Sequence, residues 1–144
     1  YLDNVKDLNP EHRFNIHIDI PDGTRVLGDG FMIEQLMDKL IGNAKDFDDH
    51  HEPITIRASL NAHKEIEIQV QNTGKPLPKT HEKQIFDGMT SIREANADGQ
   101  AHLGLGLYIV KLITDFHQGH AEAFNYVKNN QEVGAIIKIT LPTL

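Results

Sequence analysis

Three short stretches of this 144-residue chain place residue types where they could hold a charged ligand. Gly104-Leu105-Gly106-Leu107 opens a run in which Ile109, Val110, Ile113 and Phe116 repeat at helical spacing, so flexible, side-chain-free backbone stands at a helix start. The N–H groups there have no intrahelical acceptor, and the positive end of the helix dipole favours an anion such as phosphate. The same two glycines serve equally well as loop residues that let a helix pack closely. Asn43 lies at the edge of an apolar helical stripe, one turn beyond Lys39, where an amide oxygen could reach a hard cation such as Mg²⁺. Read alone, it is also an ordinary polar helix-face residue. Asn72 ends a strand just before Gly74, and side chains at strand ends beside loops are well placed to bond a ligand, although Asn and Gly are also what a turn requires.

Other chemistries find no support. No Gly-x-x-x-x-Gly-Lys-Ser/Thr phosphate loop occurs. Gly104-x-Gly106 does not extend to a dinucleotide fingerprint, because Ile109 occupies the third glycine position and a long loop precedes it. The nine histidines form no metal-ligand spacing: His50-His51 and His117-x-x-His120 fall at expected helix ends or turns and read as solvated or capping residues. His81-Glu82 lacks a second His four residues on. There is no cysteine for a disulfide, a thiolate site or a thiol nucleophile.

The elements that must position these residues follow from periodicity. Phe14 to Ile20 alternates apolar and polar residues and predicts a strand; Val26-Leu27 predicts a short second extended piece. Asp29 is placed to cap a long amphipathic helix with apolar residues at 33, 36, 37, 40, 41, 44 and 47. Ile54 to Leu60 and Ile66 to Val70 predict a hairpin turning through Asn61-Ala62-His63-Lys64. A short helix is expected over Thr80–Ile85, a long functional loop over Asp87–Leu103, and two closing strands over Ala121–Tyr126 and Ala135–Leu141. The order implies an α/β two-layer sandwich: one mixed, mostly antiparallel sheet with its helices on one face.

Length and 39% hydrophobic content suit one core. A net charge of −7 and a pI near 5.6 argue against a nucleic-acid partner, which would need a basic face. No apolar run approaches the roughly 20 residues that span a bilayer, so no direct membrane contact is expected in this segment. The start at Tyr1-Leu2-Asp3 suggests a piece of something longer.

Taken in order, Asn43-Ala44, Asn72-x-Gly74, Ile85-Phe86 and Gly104-Leu105-Gly106-Leu107 resemble the four nucleotide-binding boxes of the GHKL ATPase superfamily. Gly28-Asp29, Ile85-Phe86-Asp87 and the stretch from Gly104 through His117-Gln118-Gly119 resemble the sensor histidine kinases in particular. The resemblance implies a domain that binds ATP and Mg²⁺ for γ-phosphoryl transfer to a histidine. Asn43 would ligate Mg²⁺, Asn72 would face the adenine amine, Gly74 would let backbone approach the base, and Phe86 would pack at the hinge of an ATP lid over Asp87–Leu103. His102, Leu103, Gly104, Leu105, Gly106 and Leu107 would form the phosphate side. No catalytic residue is expected in the chain, because the phospho-acceptor histidine belongs to a separate dimerisation helix upstream of Tyr1. Residues 1–12 would be the end of a connecting segment and residues 13–144 the catalytic domain. The implied partners are that histidine-bearing domain and a response regulator, and the implied setting is the cytoplasmic side of an inner-membrane sensor.

The sequence also departs from the pattern. Asn72 stands where the family carries Asp, which removes charge assistance from the adenine contact, a loss on the order of 1 kcal/mol or roughly tenfold in affinity. Lys39 replaces a second Asn, and it cannot act as the general base that hydrolytic members place one turn before the Asn. Asp46 occupies the position of a phosphate-facing cation; Lys45, one residue earlier and rotated by about 100° around the helix, is the binding cation expected in its place. His102 takes the place of a glycine. The alternative reading is therefore a degenerate regulatory module of the same fold with weak or absent nucleotide binding. A free-standing serine kinase of the anti-sigma type would match the length, but not the stretch from Gly104 to Gly119.

Overall fold

The period-two segments form strands and the longer-period segments form helices, in the order the sequence predicts. In the computed structural model, which describes residues 5–77, 84–86 and 102–144, a one-turn helix α1 (Val5–Leu8) leads to β1 (Phe14–Asp19), the long helix α2 (Gly30–Phe47), and strands β2 (Ile54–Leu60) and β3 (Glu65–Thr73). A 3₁₀ turn at Gln84–Phe86, helix α3 (His102–Phe116), and strands β4 (His120–Lys128) and β5 (Gln131–Pro142) complete the described fold.

The five strands form one sheet in the order β1-β2-β3-β5-β4. β1 and β2 pair in parallel, with Phe14 opposite Ile54, because α2 carries the chain back across the sheet between them. The remaining pairs are antiparallel. The β2–β3 hairpin closes on Asn61, whose Oδ1 accepts from the His63 and Glu65 N–H groups at 2.9 and 2.8 Å. At the β4–β5 turn, Asn129 and Asn130 both adopt left-handed backbone, the arrangement a two-residue hairpin needs and Asn tolerates.

Leu36, Met37, Leu40, Ile41 and Ala44 of α2 and Leu107, Val110 and Ile113 of α3 are buried against Ile54, Ile56, Val70, Ile137, Ile139 and Leu141 of the sheet. Both helices therefore lie on one face of the sheet, as expected. The opposite face carries Arg57, Glu67, Gln69 and Lys138, with Lys138 Nζ 4.0 Å from Glu67 Oε1.

Several expectations change. Val26-Leu27 forms no strand: Val26 packs on the core margin, while the Arg25 carbonyl accepts from Leu144 N–H at 2.8 Å outside any ladder. Of the helix expected over Thr80–Ile85, Thr80 to Lys83 lie outside the described residues and a 3₁₀ turn follows at Gln84. The long loop lies outside them up to Ala101, and α3 begins at His102, two residues before Gly104. β4 and β5 are longer than predicted, because an antiparallel ladder continues through polar residues up to the turn.

Candidate functional site

α2 starts as the sequence predicts. Asp29 is its N-cap, with Oδ1 accepting from Phe31 and Met32 N–H at 2.9 and 3.2 Å. The same Asp29 offers its backbone N–H to His117 Nε2 at 3.2 Å, and His117 Nδ1 lies 2.8 Å from the Ile113 carbonyl. Nε2 accepts, so the proton of the neutral ring sits on Nδ1 and is donated to Ile113. His117 is 4% exposed, which corrects its reading as solvated, whereas its bond to the Ile113 carbonyl in the last turn of α3 is that of a capping residue. A Cβ at Gly28 would fall on this imidazole, which explains the glycine before the cap.

This joint fixes the direction of the two helices. The carboxyl end of α3 meets the amino end of α2, so the helices run antiparallel and the first turn of α3 lies beside the second half of α2. At 1.5 Å per residue, Asn43 is about 21 Å along α2 from Asp29, and Gly104 about 20 Å along α3 from His117. Asn43 and the glycine pair are thus level.

Asn43 Oδ1 is buried and has no hydrogen-bond partner, one of two such side-chain atoms among the described residues. An amide oxygen out of water without a donor is costly, and a cation or a ligand donor would remove that cost. Lys45 stands about 200° around the helix from Asn43. Its charge is felt by Glu11, whose carboxyl is held below the usual range chiefly by a backbone hydrogen bond, with His12 and Lys45 contributing.

β3 delivers Asn72 and Gly74 to the same end. Asn72 is 3% exposed, and its Nδ2 donates to the Thr73 carbonyl at 3.0 Å. Thr73 Oγ1 donates to Asp49 Oδ1 at 2.6 Å and the Thr73 carbonyl accepts from Asp49 N–H at 3.0 Å, tying the strand to the residues that follow α2. The Thr73 hydroxyl is the main reason that the Asp49 carboxyl sits below its ordinary range. Gly74 has φ near +150°, and a Cβ there would fall on the Phe47 carbonyl, one turn beyond Asn43. The close approach of strand to helix end thus requires this glycine before any ligand is considered.

Phe86 and Ile85 are buried beneath α3. The backbone of His102, Leu103, Gly104 and Leu105 forms the first turn of α3, where N–H groups lack intrahelical acceptors; their side chains lie outside the described residues. Gly106 faces open space, whereas Leu107 is fully buried and belongs to the core. The structure therefore groups Asn43, Asn72, Gly74 and the glycine turn at one end of the helix layer and turns Lys45 away from Asn43.

Residues 28–144 match the family of histidine kinase-, DNA gyrase B- and HSP90-like ATPases. The chain belongs to this ATPase family. Among curated relatives it is 28% identical over 119 residues to the signal transduction histidine-protein kinase ArlS of Staphylococcus haemolyticus, covering 83% of this chain and 26% of that protein. It is 29% identical over 110 residues to the sensor protein SrrB of Staphylococcus aureus, covering 76% of this chain and 18% of that one. The chain spans about a quarter or less of these relatives' length. The mycobacterial sensor histidine kinase MprB superposes with a TM-score of 0.80 at 20% identity, covering 99% of this chain and 89% of that one. Full-length ShkA in complex with AMPPNP superposes at 0.74 and 21% identity, covering 99% of this chain and 29% of that one. The two structures establish a histidine kinase-type fold. Within the ATPase family, the match starts at Gly28, so β1 and the α1 segment precede the matched region.

The sequence reasoning missed two features. His117 gave no signal beyond following a helix, yet it locks α2 to α3; the glycine at 28 was its only trace. His12 converges on Asp48 and His50 from 36 residues before Asp48, which sequential spacing does not reveal.

Proposed function

We propose that this chain is the ATP-binding catalytic domain of a two-component sensor histidine kinase, binding Mg-ATP and donating the γ-phosphoryl to a histidine outside this chain. The observation that carries this reading is the buried, unpartnered Oδ1 of Asn43, level with the helix turn that contains Gly104. The helix turn offers backbone donors to phosphate oxygens, and Asn43 offers an oxygen ligand to the cation that accompanies them. Mg²⁺, when bound, would neutralise charge developing on the transferred group. Asn72 would accept from the adenine amine through its remaining amide oxygen, with Gly74 beside it. Phe86 would anchor the segment leading to the lid. Positioning and charge neutralisation suffice for this chemistry, so no residue of the domain need act covalently. AMPPNP in the ShkA structure supports a nucleotide ligand for this fold.

The partner surface has support of its own. Tyr108, Leu112 and Phe116 recur every four residues along α3 and stay 41%, 50% and 64% exposed, with Phe31 and Leu27 also bare. Such an apolar stripe fits the histidine-bearing helices of the full protein. A response regulator would be the next acceptor, and the domain would lie on the cytoplasmic side of an inner-membrane sensor. Among the described residues no helix is long and apolar enough to cross a membrane. Residues 1–12 would end the connecting segment and 13–144 form the catalytic unit.

A second reading, a degenerate module of this fold, draws on Asn72, Lys39 and Asp46. The experiment that separates them supplies the full-length protein with γ-labelled ATP. Acid-labile, base-stable label that Asn43→Ala abolishes supports the kinase; label that persists in Asn43→Ala, or none in the wild type, overturns it.

A further inference from the structure

His12, Asp48 and His50 meet at the side of the fold where the segment before β1 passes the carboxyl end of α2. Two connections supply them: His12 lies between α1 and β1, while Asp48, the C-cap of α2, and His50 stand two residues apart in the connection from α2 to β2. One ligand-capable atom from each lies within 4.8 Å of the others. Asp48 Oδ2 is 3.5 Å from His50 Nδ1 and 4.0 Å from His12 Nε2. The Asp48 and His12 side chains are 2% and 9% exposed, while that of His50 is 57% exposed.

The surroundings hold this geometry. His50 adopts left-handed backbone, uncommon for a residue with a Cβ, and its N–H donates to Asp48 Oδ1 at 3.2 Å. Arg13 donates to the His50 carbonyl at 3.0 Å, and Arg13's own carbonyl accepts from Ile54 N–H at 2.9 Å. Asp48 therefore spends one oxygen on the turn and directs the other at two imidazoles. His12 Nδ1 is buried without a hydrogen-bond partner, 3.5 Å from the exposed Glu11 carboxylate, and its ring stacks on that of His50 with centroids 4.8 Å apart. A carboxylate so deeply withdrawn from water is normally paired or bound to a metal.

We propose that His12, Asp48 and His50 form a transition-metal site of the Zn²⁺ class, with a fourth position open to water. Two imidazoles and one carboxylate are a borderline donor set that suits Zn²⁺, Ni²⁺ or Cu²⁺ rather than Mg²⁺ or Ca²⁺. Tetrahedral Zn²⁺ places its ligand atoms about 3.4 Å apart. The Asp48–His50 separation of 3.5 Å already matches that value, and the Asp48–His12 separation of 4.0 Å must close by about half an ångström through a small shift of either side chain. The ion would clamp the segment entering β1 onto the end of α2, beside the Asp49–Thr73 contact. The three ligands are not residues assigned to the nucleotide, so the proposal does not depend on that reading.

The test is calorimetric titration of the untagged chain with Zn²⁺ alone, together with thermal unfolding with and without Zn²⁺. One site per chain is expected, with a rise in Tm that EDTA reverses. His50→Ala, a change at an exposed ring, should weaken that site at least tenfold and abolish the Tm rise; His12→Ala should do the same. His51→Ala and His63→Ala should leave both unchanged. If the His50→Ala protein binds Zn²⁺ as the wild type does, or if His51→Ala or His63→Ala removes the binding, the proposal is wrong.

Discussion

Replacing Asn72 by Asp should move stability and nucleotide affinity in opposite directions. Asn72 Nδ2 donates to the Thr73 carbonyl at 3.0 Å from a side chain that is 3% exposed. Asp puts an oxygen in that place. The lost bond costs about 1 kcal/mol, and a carboxylate oxygen set against a carbonyl in a buried position adds about 1–2 more. For a domain of this size each kcal/mol is worth about 3–4 °C, so Tm without ligand should fall by about 6–12 °C at neutral pH. Protonation would restore a donor to Thr73, and the penalty, present while the carboxyl is charged, should shrink as pH falls toward the titration of that group. Against ATP the same carboxylate gains charge assistance at the adenine amine, on the order of 1 kcal/mol or roughly tenfold tighter binding. Thermal unfolding in the absence of ligand and calorimetry with Mg-ATP read the two effects separately. An unchanged Tm at neutral pH would refute the Thr73 contact, and unchanged or weaker ATP binding would refute the placement of Asn72 against the base.

Three further outcomes follow from the same geometry. His117→Ala removes a buried ring and leaves the Asp29 N–H without its acceptor, which should cost about 2–4 kcal/mol; Gly28→Ala should also destabilise, but the double variant should cost less than the two together in chemical denaturation, because truncating His117 makes room for the new Cβ. Gly74→Ala should lower stability by about 2–3 kcal/mol in the absence of any nucleotide, read by urea unfolding, since both its backbone angle and the Phe47 carbonyl oppose a side chain. Asp49 is held low mainly by Thr73 and Glu52 mainly by Lys128, 2.8 Å away, so the stability they contribute is present above the ordinary carboxylate range and lost as pH falls through and below about 4; Glu52→Gln combined with Thr73→Val should flatten that acid limb in a pH series of unfolding curves.

What the sequence could show was whatever depends on neighbours along the chain. The stripe from Ile33 to Phe47 and the cap at Asp29 were legible because helix periodicity and capping are local, and the sheet strands were legible from alternation. Val26-Leu27 misled, because two apolar residues at a core margin look like a strand whether or not a ladder partner exists. Gly74 was read as giving room to a ligand, whereas its first obligation is to the Phe47 carbonyl, a contact between residues 27 positions apart. His117 and the His12–Asp48–His50 cluster were illegible for the same reason: tertiary packing, not spacing, gives a histidine its partners. The level placement of Asn43 and Gly104 likewise needed the antiparallel joint that His117 makes.

The most direct measurement is titration of the domain with ATP by calorimetry, with and without Mg²⁺, for the wild type and Asn43→Ala. Saturable binding that tightens with Mg²⁺ and loses that dependence in Asn43→Ala is the predicted result. No heat of binding up to millimolar nucleotide, or binding indifferent to both Mg²⁺ and Asn43, would contradict it and leave a family member that has kept the fold without the ligand.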